Sequence, residues 1–148
     1  MVTILGAGGI ISNELIKLPA IRNQPLRLVS RRVVHDSGGA QSMAADLTDR
    51  DQTVRAVEGS SVVFLLAGLK YDHKLWADAW PRIMANTIEA CKRASARLVF
   101  FDNVYMYGRV NGAMTEETPF NFSSKKGEIR AKIATALIDE WKAGRLTQ

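Results

Sequence analysis

The chain has 148 residues, 47% hydrophobic and 24% charged, an ordinary balance for one globular domain with its own core. Its net charge of +5 comes from scattered Lys and Arg, with adjacent pairs that include Arg31-Arg32 and Lys125-Lys126. No aromatic-interleaved basic stripe is present, so nucleic acid is not the expected partner and an anionic nucleotide is. A single cysteine (Cys91), two histidines (His35 and His73) and no apolar run near the roughly 18 residues of a membrane span argue against disulfides, metal sites and membrane insertion. The N-terminus lacks the basic flank and cleavage site of a signal peptide, so the expected compartment is the reducing cytoplasm.

The first strand is predicted over residues 2–5, an apolar and β-branched run. It enters a turn holding Gly6, Gly8 and Gly9. Ile11, Leu15 and Leu18 then recur at helical spacing, with Pro19 closing the helix. A second strand follows at 26–30, then a loop at Gly38-Gly39 and a short third strand at 43–47. A helix capped by Thr48 or Asp49 runs through Val57 and ends at Gly59. Residues 61–66 are continuously apolar, as in a strand buried on both faces. Trp76, Trp80, Ile83, Thr87 and Cys91 mark one face of a long helix, in which Pro81 either makes a kink or marks the start of the main segment. A strand at 97–101 and a last helix with Ile129, Ile133, Leu137 and Trp141 complete the pattern. This alternation implies an α/β fold, a Rossmann-type doubly wound parallel sheet of about five strands. The expected strand order is 3-2-1-4-5, with a crevice at the carboxyl ends of strands one and four.

The strand–turn–helix at the start aims free backbone N–H groups and the positive end of a helix dipole at a phosphate. Gly6, Gly9 and Ser12 occupy the three positions of a G-x-x-G-x-x-G turn. Gly6 permits the sharp turn, Gly9 lets the backbone approach a pyrophosphate, and Ser12 is small enough for close helix–strand packing. Gly6, Gly8, Gly9, Ile10 and Ile11 are therefore the phosphate-binding candidates. An NAD site usually carries an acid at the end of the second strand for the ribose 2′-hydroxyl. Here the chain reads Ser30-Arg31-Arg32, and guanidinium forks suit a 2′-phosphate. NADP is the expected cofactor, with NAD the alternative.

Four segments together resemble the short-chain dehydrogenase/reductase superfamily, in its NAD(P)-dependent epimerase/dehydratase (extended or atypical) branch. They are Leu5-Gly6-Ala7-Gly8-Gly9-Ile10-Ile11, Ala45-Asp46-Leu47-Thr48-Asp49, Leu65-Leu66-Ala67-Gly68, and the run from Val99 to Gly108. The resemblance implies that Asp46 and Leu47 contact the adenine, and that Ala67, Gly68 and Leu69 lie along the cofactor ribose. It also exposes departures. The branch usually carries Ser-Ser/Thr-x-x-Val-Tyr-Gly, and alignment on Tyr107-Gly108 puts Asp102 and Asn103 at the hydroxyl positions. Asn103 remains a hydrogen-bond donor there. The branch also expects Tyr-x-x-x-Lys, in which the lysine lowers the pKa of the phenol. Four residues before Lys126 stands Phe122, and four before Lys125 stands Asn121. Lys126 or Lys125 reaches the nicotinamide ribose in this reading. Lys126 is favoured because Lys-Gly-x-x-Arg-Ala resembles the atypical helix start. Tyr105 or Tyr107 is the substitute phenol.

Members of the branch continue past residues 143–146 into further strands and a substrate-binding region. The whole chain, 1–148, thus reads as the dinucleotide-binding part, compatible with a fragment, a split gene product or a truncated paralogue. Its fifth strand or that strand's neighbour is then an exposed edge, open to a homo-oligomer or a partner chain. The expected activity is hydride transfer on a carbonyl or alcohol carbon of a small, unidentified substrate, a sugar nucleotide among the options. Without the usual phenol, weak or absent turnover is expected from these residues alone. The rival readings are a non-catalytic NADP-binding or redox-sensing module, and a fragment that pairs with a partner chain.

Overall fold

The structure is a computed structural model that describes residues 1–33 and 38–147. Five parallel strands form one sheet: β1 (Val2–Leu5), β2 (Leu26–Ser30), β3 (Gln41–Ala44), β4 (Val62–Leu65) and β5 (Arg97–Phe100). Their order is β3-β2-β1-β4-β5, the arrangement expected from the alternation. The helices are α1 (Ile10–Leu15), α2 (Pro19–Arg22), α3 (Arg50–Val57), α4 (His73–Ala94) and α5 (Lys125–Lys142), with a 3₁₀ turn at Tyr105–Tyr107.

The order reverses between β1 and β4, because the chain builds outward to β3 and then returns to the other side of β1. The loops after β1 and β4 therefore diverge and leave a crevice at the carboxyl edge of the sheet. Side chains alternate between its two faces. Leu5, Val29, Val63 and Leu65 enter the main core with α3, α4 and α5, while Ile4 and Leu28 enter a smaller cluster with Ala7 and the half-buried Leu15 and Ile16. Trp76, Trp80, Ile83 and Cys91 of α4 supply much of the main core, which explains their spacing in the sequence.

Several expectations are corrected. The first helix ends at Leu15, and Pro19 opens α2 as its first residue instead of closing α1, a position where its missing N–H costs nothing. Leu18 is 51% exposed and Ile11 43%, so neither lies on a buried helix face. The third strand spans Gln41–Ala44 rather than 43–47. Asp46 stops it, since its carboxylate accepts from the Thr48 N–H at 2.9 Å and the Thr48 hydroxyl at 2.8 Å and bends the chain. Asp49, not Thr48, caps α3, accepting from the Gln52 N–H at 2.9 Å. Pro81 lies inside an uninterrupted α4. It has no N–H for the Ala77 carbonyl, and both residues are exposed, so water can take that acceptor. Trp141 is half exposed, so the stripe of the last helix fades toward its end.

Thr147 makes an isolated parallel bridge to Arg97, beginning a sixth position beside β5. Among the described residues, no helix is long and apolar enough to cross a membrane, and no group of three or more His, Cys, Asp or Glu is placed to hold a metal ion.

Candidate functional site

The crevice begins where β1 turns. Gly6 has φ +96°, and the amides of Gly6 and Ala7 both donate to the Val29 carbonyl, at 2.8 and 2.9 Å. A Cβ on Gly6 would stand 2.5 Å from the Ala67 backbone, so glycine is needed both for the dihedral and for the approach of the β4 exit. Gly8 follows with φ +89°. Gly9 differs: its backbone is extended, and the nearest atom to a Cβ there would be the Gly6 carbonyl at 3.9 Å. No neighbour within the protein requires a glycine at that position. Gly9 leads directly into α1, whose N-terminus has no side-chain cap and no acid in its first turn. Ser12 turns inward, 2% exposed, and donates to the Gly9 carbonyl at 2.8 Å. Ile10 is 82% exposed beside the turn, in line with Ile11.

Ser30 closes β2, and its hydroxyl donates to the Arg32 carbonyl, which tightens the bend that presents Arg31 and Arg32 to solvent. Across the bend lies Asp46. Its carboxyl is held below the usual carboxylate range mainly by the Thr48 hydrogen bonds, with a further contribution from the charge of Arg31. Leu47 is only 8% exposed and its side chain packs in the main core. Its carbonyl accepts from Thr53 Oγ1 at 3.2 Å and Asn86 Nδ2 at 3.0 Å, fastening this loop to α3 and α4. Ala67, Gly68 and Leu69 follow β4, and Ala67 lies against the Gly6 turn. Leu69 is partly tucked against the core.

The far end is built from β5, the 3₁₀ turn and the start of α5. Ser124 caps α5 by accepting from the Gly127 N–H at 3.0 Å. Lys125 points to solvent, whereas Lys126 is half-buried with its Nζ 3.2 Å above the centre of the Tyr71 ring. Trp76 and Tyr105 complete a cage around it: the Trp76 ring lies 5.8 Å from Nζ, and Tyr105 stacks on Trp76 at 6.3 Å. Asn103 Oδ1 accepts from the Tyr105 N–H at 3.1 Å, which leaves its Nδ2 as the donor. Tyr107 goes elsewhere. Its ring packs edge-on against Phe120 at 5.4 Å, in a separate cluster with Met106, Ala131 and Ala134. Of the two tyrosines proposed as substitute phenols, only Tyr105 reaches the lysine cage.

Sequence reading missed the group under this cage. Arg130 is 2% exposed, and its Nε reaches Asp102 Oδ1 at 2.5 Å while Nη2 contacts the same oxygen. Its guanidinium lies 4.3 Å from the Trp80 ring centre and 5.0 Å from that of Phe100. Burial pushes the Asp102 carboxyl up, against the pull of Arg130, and lowers Arg130 in turn. The available signal was a cation set among Ile129, Ala131 and Ile133, with an acid directly after an apolar strand. Tyr71 gave no signal, being an exposed aromatic in a loop. Cys91 is buried, its thiol pushed up to about 12 by desolvation, and takes no part in the site.

A separate hollow of 340 Å³ opens by the amino end of β2, between Asn13, Lys17, Arg22, Gln24 and Gly39. It shares no residue with the crevice.

No curated protein matches the sequence. Among solved structures, the chain is similar to MoeE5 in complex with UDP-glucuronic acid and NAD, with 25% identity and a TM-score of 0.76, over 93% of this chain and 48% of that one. The fold is shared with UDP-glucose 4-epimerase of Thermus thermophilus in complex with NAD, at 18% identity and TM-score 0.81, over 98% of this chain and 52% of that one. It is shared too with uronate dehydrogenase of Agrobacterium tumefaciens, at 15% identity and TM-score 0.82, over 96% and 56%. The chain thus spans about half the length of these structures. Residues 2–138 match a single family model, and the chain belongs to the NAD dependent epimerase/dehydratase family.

Proposed function

We propose that this chain binds a nicotinamide dinucleotide across the carboxyl edge of the sheet and serves hydride transfer on a small carbonyl or alcohol substrate. The observation that carries this reading is the contrast between Gly6 and Gly9. Gly6 is demanded by the fold, whereas Gly9 answers no internal contact and lies at the start of an uncapped helix, where a pyrophosphate would need bare backbone. The residues present fit the cofactor: amides from Gly8 to Ile11 for the pyrophosphate, Arg31 and Arg32 at the adenosine ribose, Ala67 to Leu69 along the chain of the molecule, and Lys126 at the nicotinamide ribose. A bound nicotinamide would supply the hydride acceptor or donor. The chain's own part is to orient it and to hold charge near the reacting oxygen, through Lys126 and the Asn103 amide. Tyr105, stacked on the Trp76 ring that borders the lysine, is the substitute phenol in this reading, since Phe122 has no proton to give.

NADP is the preferred form in this reading. Among the described residues, Asp46, across the bend from the end of β2, is turned into hydrogen bonds with Thr48, and two exposed guanidinium groups stand at the end of β2. Titration of NADPH and NADH should show NADPH tighter by roughly tenfold, about 1.4 kcal/mol. Arg31→Ala should remove most of that difference. Equal affinities in the wild type would refute the preference. Absence of any binding would refute the function.

A second reading concerns the edge of β5, where Val99 is 38% exposed and Phe101 58%. We propose that a partner segment adds a parallel strand there, in the direction that the Thr147 bridge already takes, and covers these side chains. Light scattering on the purified chain tests it. A monomer that dimerises through this edge, with loss of the dimer in Val99→Lys, would show that a second copy takes the place instead.

A further inference from the structure

Asp102 and Arg130 join two parts of the crevice that come from distant segments. Asp102 stands just past β5, and its Oδ1 also accepts from the Asn103 N–H at 2.7 Å. Asn103 in turn holds the Tyr105 amide, Tyr105 stacks on Trp76, and Trp76 borders the Lys126 ammonium. Arg130 lies four residues after Lys126, one turn along the same side of α5. The contacts therefore run in a closed ring from α5 through β5 and the 3₁₀ turn back to α5. The helix is pressed against that turn: a Cβ on Gly127 would meet the Tyr105 carbonyl oxygen at 2.5 Å and Phe122 Cβ at 2.8 Å.

Stability alone is a poor reason for the pair. Apolar residues of similar shape commonly match or exceed a buried ion pair, and here one carboxylate oxygen, Asp102 Oδ2, is buried without a partner. What an ion pair adds is a fixed register between the two elements it joins. The guanidinium is held between aromatic rings and a carboxylate.

We propose that the Asp102–Arg130 pair is the positioning element of the nicotinamide end, setting Lys126 and Asn103 at the spacing that cofactor binding uses; this rests on the dinucleotide-binding reading. Neither residue is catalytic. Both act through Lys126 and Asn103.

The test replaces the pair by apolar side chains, in the double variant Asp102→Leu/Arg130→Met, and compares it with Lys126→Met and with the triple variant. The double variant should keep the thermal midpoint of the wild type within a few degrees and lose about tenfold in NADPH affinity, a coupling typical of residues in one network. In the Lys126→Met background the same change should cost clearly less, since only the part that acts through Asn103 remains. Arg130→Lys, which keeps the charge but not the fork, should give a smaller loss and serves if the double variant fails to fold. A cofactor-free measurement accompanies these. The ε-methylene protons of Lys126, held over the Tyr71 ring, should resonate upfield of an exposed lysine, and should return to the ordinary position in the double variant or in Arg130→Lys. Wild-type affinity in the double variant, full additivity with Lys126→Met, or an unmoved Lys126 resonance would overturn the proposal. A wild type that binds neither NADPH nor NADH would overturn the cofactor reading instead, and the resonance alone would then decide the positioning role.

Discussion

The two ends of the crevice are made of different material. The end at β1 is backbone: two glycines with positive φ, amides donated to Val29, and a short helix with no cap. The end at β5 is side chain: a buried ion pair, five aromatic rings and a lysine folded over one of them. A backbone site tolerates changes that add no atoms, and fails when a Cβ appears at the wrong place. A side-chain site is held by contacts between segments far apart in the chain, and fails when any member of the ring is lost. One end is specified locally and the other cooperatively.

The largest effect should come from the backbone end. Gly6→Ala forces a Cβ against Ala67 and an alanine into positive φ, and should cost about 4 kcal/mol in urea unfolding from strain and overpacking together. A cost under about 1 kcal/mol, the ordinary effect of a mild substitution, would mean that β1 and β4 can part at their exits, and the local account of this end would fail. At the other end, Arg130→Met alone strands Asp102 and should cost about 3 kcal/mol. Equal stability of this single variant and the double apolar variant would show that the pair is not coupled. Gly9→Ala separates binding from folding within the backbone end: unfolding should shift by no more than about 0.5 kcal/mol, while NADPH affinity falls roughly tenfold. An unfolding shift as large as that of Gly6→Ala would erase the distinction between the two glycines.

The smallest effect marks the far end of α5. Glu140 accepts from Arg145 and from Lys92 of α4, which hold its carboxyl down at about 2, below the ordinary 4.5. A depressed folded pKa means that this contribution is present above about 4.5 and is lost as pH falls toward about 2. The difference in Tm between the wild type and Glu140→Gln should therefore shrink over that window. A difference that stays constant would show that these exposed contacts do not stabilise the folded state.

The sheet was legible because its signals are local. Apolar runs of strand length, a glycine turn after the first of them and helical stripes such as Trp76 to Cys91 each report on their own segment, and the right-handed crossover of parallel strands then restricts the order. Boundaries were less legible where a side chain competes with the backbone, as Asp46 does in ending β3 early. The glycine turn was read from spacing alone, although spacing could not tell that Gly6 answers a contact with Ala67 while Gly9 answers none. The nicotinamide end was legible only as a set of departures, Phe122 and Asn103 in place of the expected side chains. Which phenol approaches Lys126 depends on where α4, β5 and α5 meet, and that meeting set Tyr71 over the lysine, Tyr105 against Tyr71 and Trp76, and Tyr107 against Phe120. Asp102 and Arg130 lie 28 residues apart, and no local pattern joins them. By itself the sequence determined the elements, their order and the phosphate turn, since these follow from short-range periodicity and backbone freedom. Only the tertiary structure decided the charge and aromatic order at the end of β5, because a buried charge finds its partner through packing and not through distance along the chain.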